Sequence, residues 1–150
     1  MTRTACALTG HRAVPDTFDG NALYDKLEEL IQGGCDTFFC GMAKGFDLLA
    51  LGCLVDLKKK YNIYIEACIP FAGQEKGYSE RDRKRYRSML EWCDRKTVLF
   101  EEYQSGCYHA RDRYMVDCAD TVLAYCVKDT GGTAYTVKYA KEKNIPVIYL

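Results

Sequence analysis

Three glycine-bearing turns hold the residues of this chain best suited to chemistry. The first is Thr9-Gly10-His11-Arg12. The second runs from Gly41 through Met42, Ala43 and Gly45 to Asp47. The third is Gly131-Gly132-Thr133. Glycine lets a backbone approach a ligand closely, and a helix that starts just beyond a turn offers unpaired N–H groups and a partial positive charge to an anion. A single such turn also fits an ordinary chain reversal, because turns recruit glycine for positive φ. Three of them on one sheet edge, with His11, Arg12, Arg111 and Arg113 nearby, point to a seat for a phosphate. Neither the dinucleotide fingerprint G-x-G-x-x-G nor the P-loop is present: Gly41 to Gly45 lacks the third glycine and the Lys-Ser pair. Ordinary dinucleotide oxidoreductases and ATPases are therefore disfavoured.

The individual side chains carry two readings each. Asp47, two residues beyond Gly45, either compensates a helix dipole and caps the first turn or bonds a ribose hydroxyl or base. His11 either bonds backbone at the core edge or touches ligand. Arg12 and Arg111 fit surface ion pairs in general, but their places near strand ends favour anion contact. The stretch SERDRKRYRS carries five basic residues between Arg81 and Arg87. It fits a nucleic-acid stripe or a solvated helix face; the interleaved Glu80 and Asp82 and the scarcity of stacking aromatics favour the solvated face.

The elements that must position these residues follow from an alternating pattern. Apolar runs at 3–8, 36–40, 63–69, 97–102, 120–127 and 145–150 read as strands. Helical periodicity falls between them: Leu23, Leu27, Leu30 and Ile31 before a Gly33-Gly34 stop, Phe46 to Leu57, then 79–92, 110–118 and 134–140. Strands alternating with helices imply parallel pairing through right-handed crossovers, and continuous apolar strands imply helices on both faces. The expected fold is a three-layer, doubly wound α/β Rossmann-like domain with a mainly parallel sheet of about six strands, spanning 1–150 as one domain. Leu8, Phe39, Ile65, Leu99 and Val122 centre their apolar runs and are expected to be buried. In such a sheet, ligands bind outside the carboxyl ends of the strands, where the three turns lie.

Composition narrows the function. The 150 residues are 48% hydrophobic, which suffices for one core. Lys plus Arg equals Asp plus Glu at 21 each, without the basic excess usual for nucleic-acid binders. TACALTG near the start reads as a strand rather than a secretory leader, and the apolar helical run 48–55 is far shorter than the ~20 residues of a membrane span. Nine cysteines with two histidines and no C-x-x-C read as small core residues kept reduced in a cytosol rather than as metal ligands. No cofactor and no metal are expected.

Five segments, LTGHR, CGMAKGFDLLA, IPFAGQEKGYSERDRKRYRSML, ARDRYMVDCADTVLAY and GGTAYTVKYAKEKNIPVIYL, follow one another in an order and spacing that resembles the YpsA-like proteins. These belong to the SLOG superfamily, with DNA-processing protein A and the LOG phosphoribohydrolases. The resemblance implies a nucleotide-derived ligand at the strand ends, with Gln74 matching a family glutamine that would read a base edge. LOG enzymes place an arginine four residues before a methionine, then a glycine turn and a glutamate. Arg111 and Met115 match, Asp120 follows as in LOG, and Gly132-Thr133 match the turn. Thr136 stands where the glutamate would be, and an uncharged hydroxyl cannot replace a carboxylate in stabilising an oxocarbenium-like centre or activating water. The resemblance thus implies a protein that binds a phosphate-bearing nucleotide derivative, of ADP-ribose or cyclic-nucleotide type, as a sensor or sequestering protein without turnover. The alternatives are a nucleotide N-glycosidase that uses Arg111 with Asp47, Asp112 or Asp117 as the acid, and a DNA-binding module. A homodimer is the expected assembly, in the cytoplasm, without membrane or nucleic-acid partners.

Overall fold

The structure is a computed structural model that describes residues 4–150. Arg3, the expected start of the first strand, lies outside the described residues. Six strands form one sheet: β1 (Thr4–Gly10), β2 (Cys35–Cys40), β3 (Tyr64–Phe71), β4 (Arg95–Phe100), β5 (Thr121–Tyr125) and β6 (Val147–Tyr149). Five helices alternate with them: α1 (Gly20–Gln32), α2 (Phe46–Lys58), α3 (Glu80–Leu90), α4 (Cys107–Cys118) and α5 (Gly132–Glu142). The strand order is β4-β3-β2-β1-β5-β6, and every neighbouring pair is parallel. The doubly wound sheet expected from the alternation is therefore present.

Alternating side chains of the same strands supply two cores. Cys6, Leu8, Phe38, Cys40, Ile65 and Ala67 pack with Leu23 and Leu27 of α1, the leucines of α2 and Tyr86 of α3. Ala5, Ala7, Phe39, Cys68, Val122 and Ala124 face the other way, against Met115 and Val116 of α4 and Val137 and Ala140 of α5. The period-2 alternation of a strand makes this split unavoidable once both faces are covered. Strand order reverses between β1 and β5, so their carboxyl ends diverge around a crevice.

Leu8, Phe39, Ile65 and Val122 are buried as expected, but Leu99 is half-exposed. The cause is position: β4 is an edge strand, and it begins at Arg95 rather than at Thr97 because its first residues pair with Glu66 and Ala67 of β3. Helix α4 begins at Cys107, three residues before the expected start, behind Gly106 at φ 82°. No helix among the described residues is long and apolar enough to cross a membrane. All nine cysteines are free. Truncating fully buried Leu54 of α2 to alanine is expected to cost about 2–5 kcal/mol, whereas Val98→Ala on the exposed edge should cost under about 1 kcal/mol; denaturant unfolding of the two variants checks the difference.

Candidate functional site

A cavity of about 310 Å³ opens at the β1/β5 reversal. Its lining includes Thr9, Gly10, His11 and Arg12 beyond β1, Ala43 and Asp47 from the turn after β2, and Gly132 and Thr133 at the start of α5. Helix α4 contributes Tyr108, Arg111, Asp112 and Met115. These four stand at i, i+3, i+4 and i+7, which is one face of a helix. The sequence reading singled out neither Tyr108 nor His109 and began the helix after them; both line the cavity because α4 starts earlier than its apolar periodicity indicates. Gly106 was the available signal. Tyr135 of α5 stacks on His109 at 3.9 Å, tying the two helix starts together.

Arg111 is the charged centre. It is buried, its Nη1 donates to the carbonyl of Gly41 at 2.6 Å, and its Nε donates to Asp112 at 2.8 Å. Burial works against its charge, but the carboxylates of Asp112 and Asp47 outweigh burial and hold its pKa above the ordinary value. Nη2 makes no hydrogen bond to the described residues, which leaves its two N–H groups for a ligand. Asp47 accepts from the amide of Ala43 at 3.2 Å through Oδ2, while its Oδ1 is buried with no partner among the described residues. Burial, the largest influence, pushes the Asp47 carboxyl up to about 7 against the pull of Arg111. A carboxyl in that range can donate a hydrogen bond from its protonated form or accept one when ionised.

The turn that carries Asp47 is held tightly. Met42 adopts a left-handed φ of 61°, uncommon for a residue with a side chain, and its carbonyl accepts from Tyr78 Oη at 3.1 Å. A Cβ on Gly41 would stand 2.8 Å from Arg111 Nη1 and 3.0 Å from Asp47 Oδ2. One on Gly45 would stand 2.2 Å from the Arg12 carbonyl. Gly10 is likewise closed off, by the ring of Phe46. These three glycines are thus required by close packing inside the protein. Gly132 differs: a Cβ there would meet nothing within 4 Å.

Helices α1 and α3 are capped by the side chains of Asp19 and Ser79, which accept from Ala22 and Asp82. Helices α2, α4 and α5 begin at Gly45, Gly106 and Gly131 with no side-chain cap. Their starts are the ones that meet the cavity. At α5 the first-turn amides are unclaimed by any side chain, and Gly132 and Thr133 line the opening.

The remaining expected residues have other surroundings. His11 accepts from the amide of Val127 through Nε2 at 2.9 Å, and burial, with Lys128 nearby, holds its pKa below the ordinary imidazole value. Gln74 is buried outside this cavity; its Nε2 donates to the Gly41 carbonyl at 3.3 Å and its Oε1 accepts from Tyr86. Arg113, about 200° around α4 from Arg111, donates to Tyr135 Oη on the exposed side. Gly131 sets the start of α5 at φ 95° without lining the cavity. Thr136 is buried, and its hydroxyl donates to the Gly132 carbonyl one turn back. Of the three candidate acids, Asp47 and Asp112 line the cavity, whereas exposed Asp117 accepts from Tyr139 Oη off the cavity face of α4. Asp120 stands at the opposite end of β5, where it accepts from the amide of Ala5.

Fold and site together define a doubly wound α/β domain with a crevice at its strand-order reversal, lined by Arg12, Arg111 and the start of α5. The chain belongs to the YspA SLOG family, whose profile matches residues 20–148, beginning after the LTGHR segment. It is similar to UPF0398 protein BH1768 of Halalkalibacterium halodurans, at 26% identity over 137 residues, covering 89% of this chain and 71% of that protein. Among solved structures, DNA processing protein A of Streptococcus pneumoniae superposes with a TM-score of 0.72 at 19% identity, over 98% of this chain and 50% of that one. The Helicobacter pylori protein of the same name, whose structure was described for its single-stranded DNA binding mode, gives a TM-score of 0.69 at 19% identity, over 99% and 65%. This chain spans about half the length of the first and under two thirds of the second. The likeness to both is one of fold.

The elevated Asp47 carboxyl has a consequence for stability. Folding takes up a proton at this residue, so its contribution weakens folding as pH rises from the ordinary carboxylate value of 3.8 to about 7, then levels off. Asp47→Asn should flatten that decline. Urea unfolding at about pH 5 and pH 8 is expected to show a smaller loss for the variant than for the wild type; parallel losses would place the Asp47 carboxyl in the ordinary range.

Proposed function

We propose that this domain binds a phosphate-bearing nucleotide derivative, of ADP-ribose or cyclic-nucleotide type, at the β1/β5 crevice, and acts as a sensor or sequestering protein without turning its ligand over. The observation that carries the reading is the uncapped start of α5, which lines the cavity beside a buried arginine whose Nη2 is unspent. An anion there would accept from the first-turn amides and from Arg111 Nη2, and Thr133 adds a hydroxyl. The open space around Gly132 leaves room for a phosphate to approach the backbone. Binding without turnover is supported by Thr136, whose hydroxyl is committed to its own helix and which carries no carboxylate.

Asp47 favours a second reading. A carboxyl near 7 in a ligand-sized cavity has the protonation behaviour of a general acid, so the N-glycosidase alternative rests on this residue.

Two measurements separate the possibilities. Calorimetry at fixed salt with AMP, ADP-ribose and cyclic ADP-ribose should find at least one ligand for the wild type. Gly132→Val should weaken it at least about tenfold while thermal unfolding stays cooperative, because a Cβ at this position meets nothing within 4 Å. Unchanged affinity, or no binding of any of the three, overturns the proposal. Incubation of the same compounds with wild type, followed by chromatography, should yield no multiple-turnover release of base or ribose phosphate. Sustained release that disappears in Asp47→Asn would replace binding by catalysis.

A further inference from the structure

A second, larger cavity of about 690 Å³ adjoins the first at the carboxyl ends of β3 and β4. Arg12 and Tyr108 line both. The Arg12 guanidinium lies 4.9 Å from the Tyr108 ring centroid, so a cation and an aromatic face stand together at the junction.

The second cavity has a distinct chemistry. Phe71, Tyr103 and Tyr108 form a cluster of three rings: Phe71 meets Tyr103 edge-on at 5.5 Å and Tyr108 at 6.0 Å, and the two tyrosines are 6.1 Å apart. Yet Tyr103 is 62% exposed, the second most exposed of the large hydrophobic side chains among the described residues. An aromatic ring held in a cluster while still offering its surface to a cavity is a stacking platform. Lys44 and Lys76 line the same cavity and form no ion pair with a described residue. Glu101 and Glu102 stand on the β4 side. Buried Gln74, bonded at both ends of its amide, holds this cavity to the Gly41 turn and hence to Arg111.

We infer that the crevice is bipartite, and that the second cavity takes the planar base of a two-ended nucleotide whose phosphate sits at the start of α5. The inference rests on the proposed phosphate seat and extends it. The unpaired cations and Arg12 suit a diphosphate crossing the junction, the ring cluster suits a base, and the exposed carboxylates of Glu101 and Glu102 suit a base that carries an exocyclic amine. The expected ligand class is therefore a base joined through a sugar and diphosphate to a second group, in preference to a lone sugar phosphate.

The test uses ADP-ribose and ribose 5-phosphate, titrated calorimetrically into wild type, Tyr103→Ala, Tyr103→Phe and Gly132→Val. Tyr103 is exposed, so its variants should keep the wild-type unfolding transition. Wild type should bind ADP-ribose more tightly than ribose 5-phosphate. Tyr103→Ala should remove roughly tenfold or more of the ADP-ribose affinity, the worth of one base stacked on one ring, and leave ribose 5-phosphate binding unchanged. Tyr103→Phe should retain the wild-type preference, since the ring remains. If Tyr103→Ala leaves ADP-ribose affinity unchanged while Gly132→Val removes it, the second subsite is refuted and the phosphate seat survives. If neither compound binds wild type, the phosphate seat and the subsite fall together. A short single-stranded oligonucleotide that binds where ADP-ribose does not also overturns the inference, in favour of a nucleic-acid surface.

Discussion

The carbonyl of Gly41 is the point on which the crevice is assembled. It accepts from Arg111, which comes from α4 on one face of the sheet, and from Gln74, which follows β3. The turn it belongs to leads into α2 on the other face. One peptide group thus joins both helical layers across the end of the sheet. A buried guanidinium demands compensation, and Asp47 and Asp112 provide it. Removing one partner of such a cluster costs far more than the cluster contributes, because the remaining charge is left buried and uncompensated. The constraint also dictates residue types: position 41 admits no side chain, because Arg111 and Asp47 already occupy the space.

The local charge balance shows how the proposed anion site would be compatible with a chain of no net charge. Arg111 is largely neutralised by its own acids, so its role is to direct a donor rather than to create a long-range field. Arg12, exposed over Tyr108, and the amides of α5 would supply the remaining attraction in the proposed site. An anion drawn in beside Asp47 favours the protonated carboxyl, so binding and proton uptake are linked at this residue. Oδ1, which has no partner among the described residues, would gain one if a protonated Asp47 donated from it to a ligand oxygen.

Much of the fold was legible because it rests on periodicity. Strands β1, β2, β3 and β5 are apolar on both faces, and α1, α2 and α5 repeat their buried residues at helical spacing. The edge strand β4 was read two residues late because its first residues, Arg95 and Lys96, are exposed and carry no apolar signal. The start of α4 was missed for a related reason: Tyr108 and His109 face a cavity rather than a core, so they break the apolar pattern that marks a helix. At the site, the turn at Gly131 to Thr133 was legible from glycine followed by a helix. The same signal at Gly10, Gly41 and Gly45 has a different cause, close packing against Phe46, Arg111 and the Arg12 carbonyl. Glycine marks close approach, and only the three-dimensional neighbours tell whether protein or ligand does the approaching. Gln74 and Thr136 illustrate the same limit: each side chain's type was readable, but its partner was not, since Gln74 bonds Gly41, 33 residues away, through tertiary packing and Thr136 bonds Gly132, four residues away, through the turn of its own helix.

The seat at the start of α5 is tested most directly by nitrogen-15 NMR, with ADP-ribose titrated into the wild type at fixed salt and pH. A phosphate seated there predicts that the amide signals of Gly132, Thr133 and Ala134 and the Nε signal of Arg111 move together and saturate with one dissociation constant. Saturating shifts elsewhere, with those four signals unmoved, would contradict it.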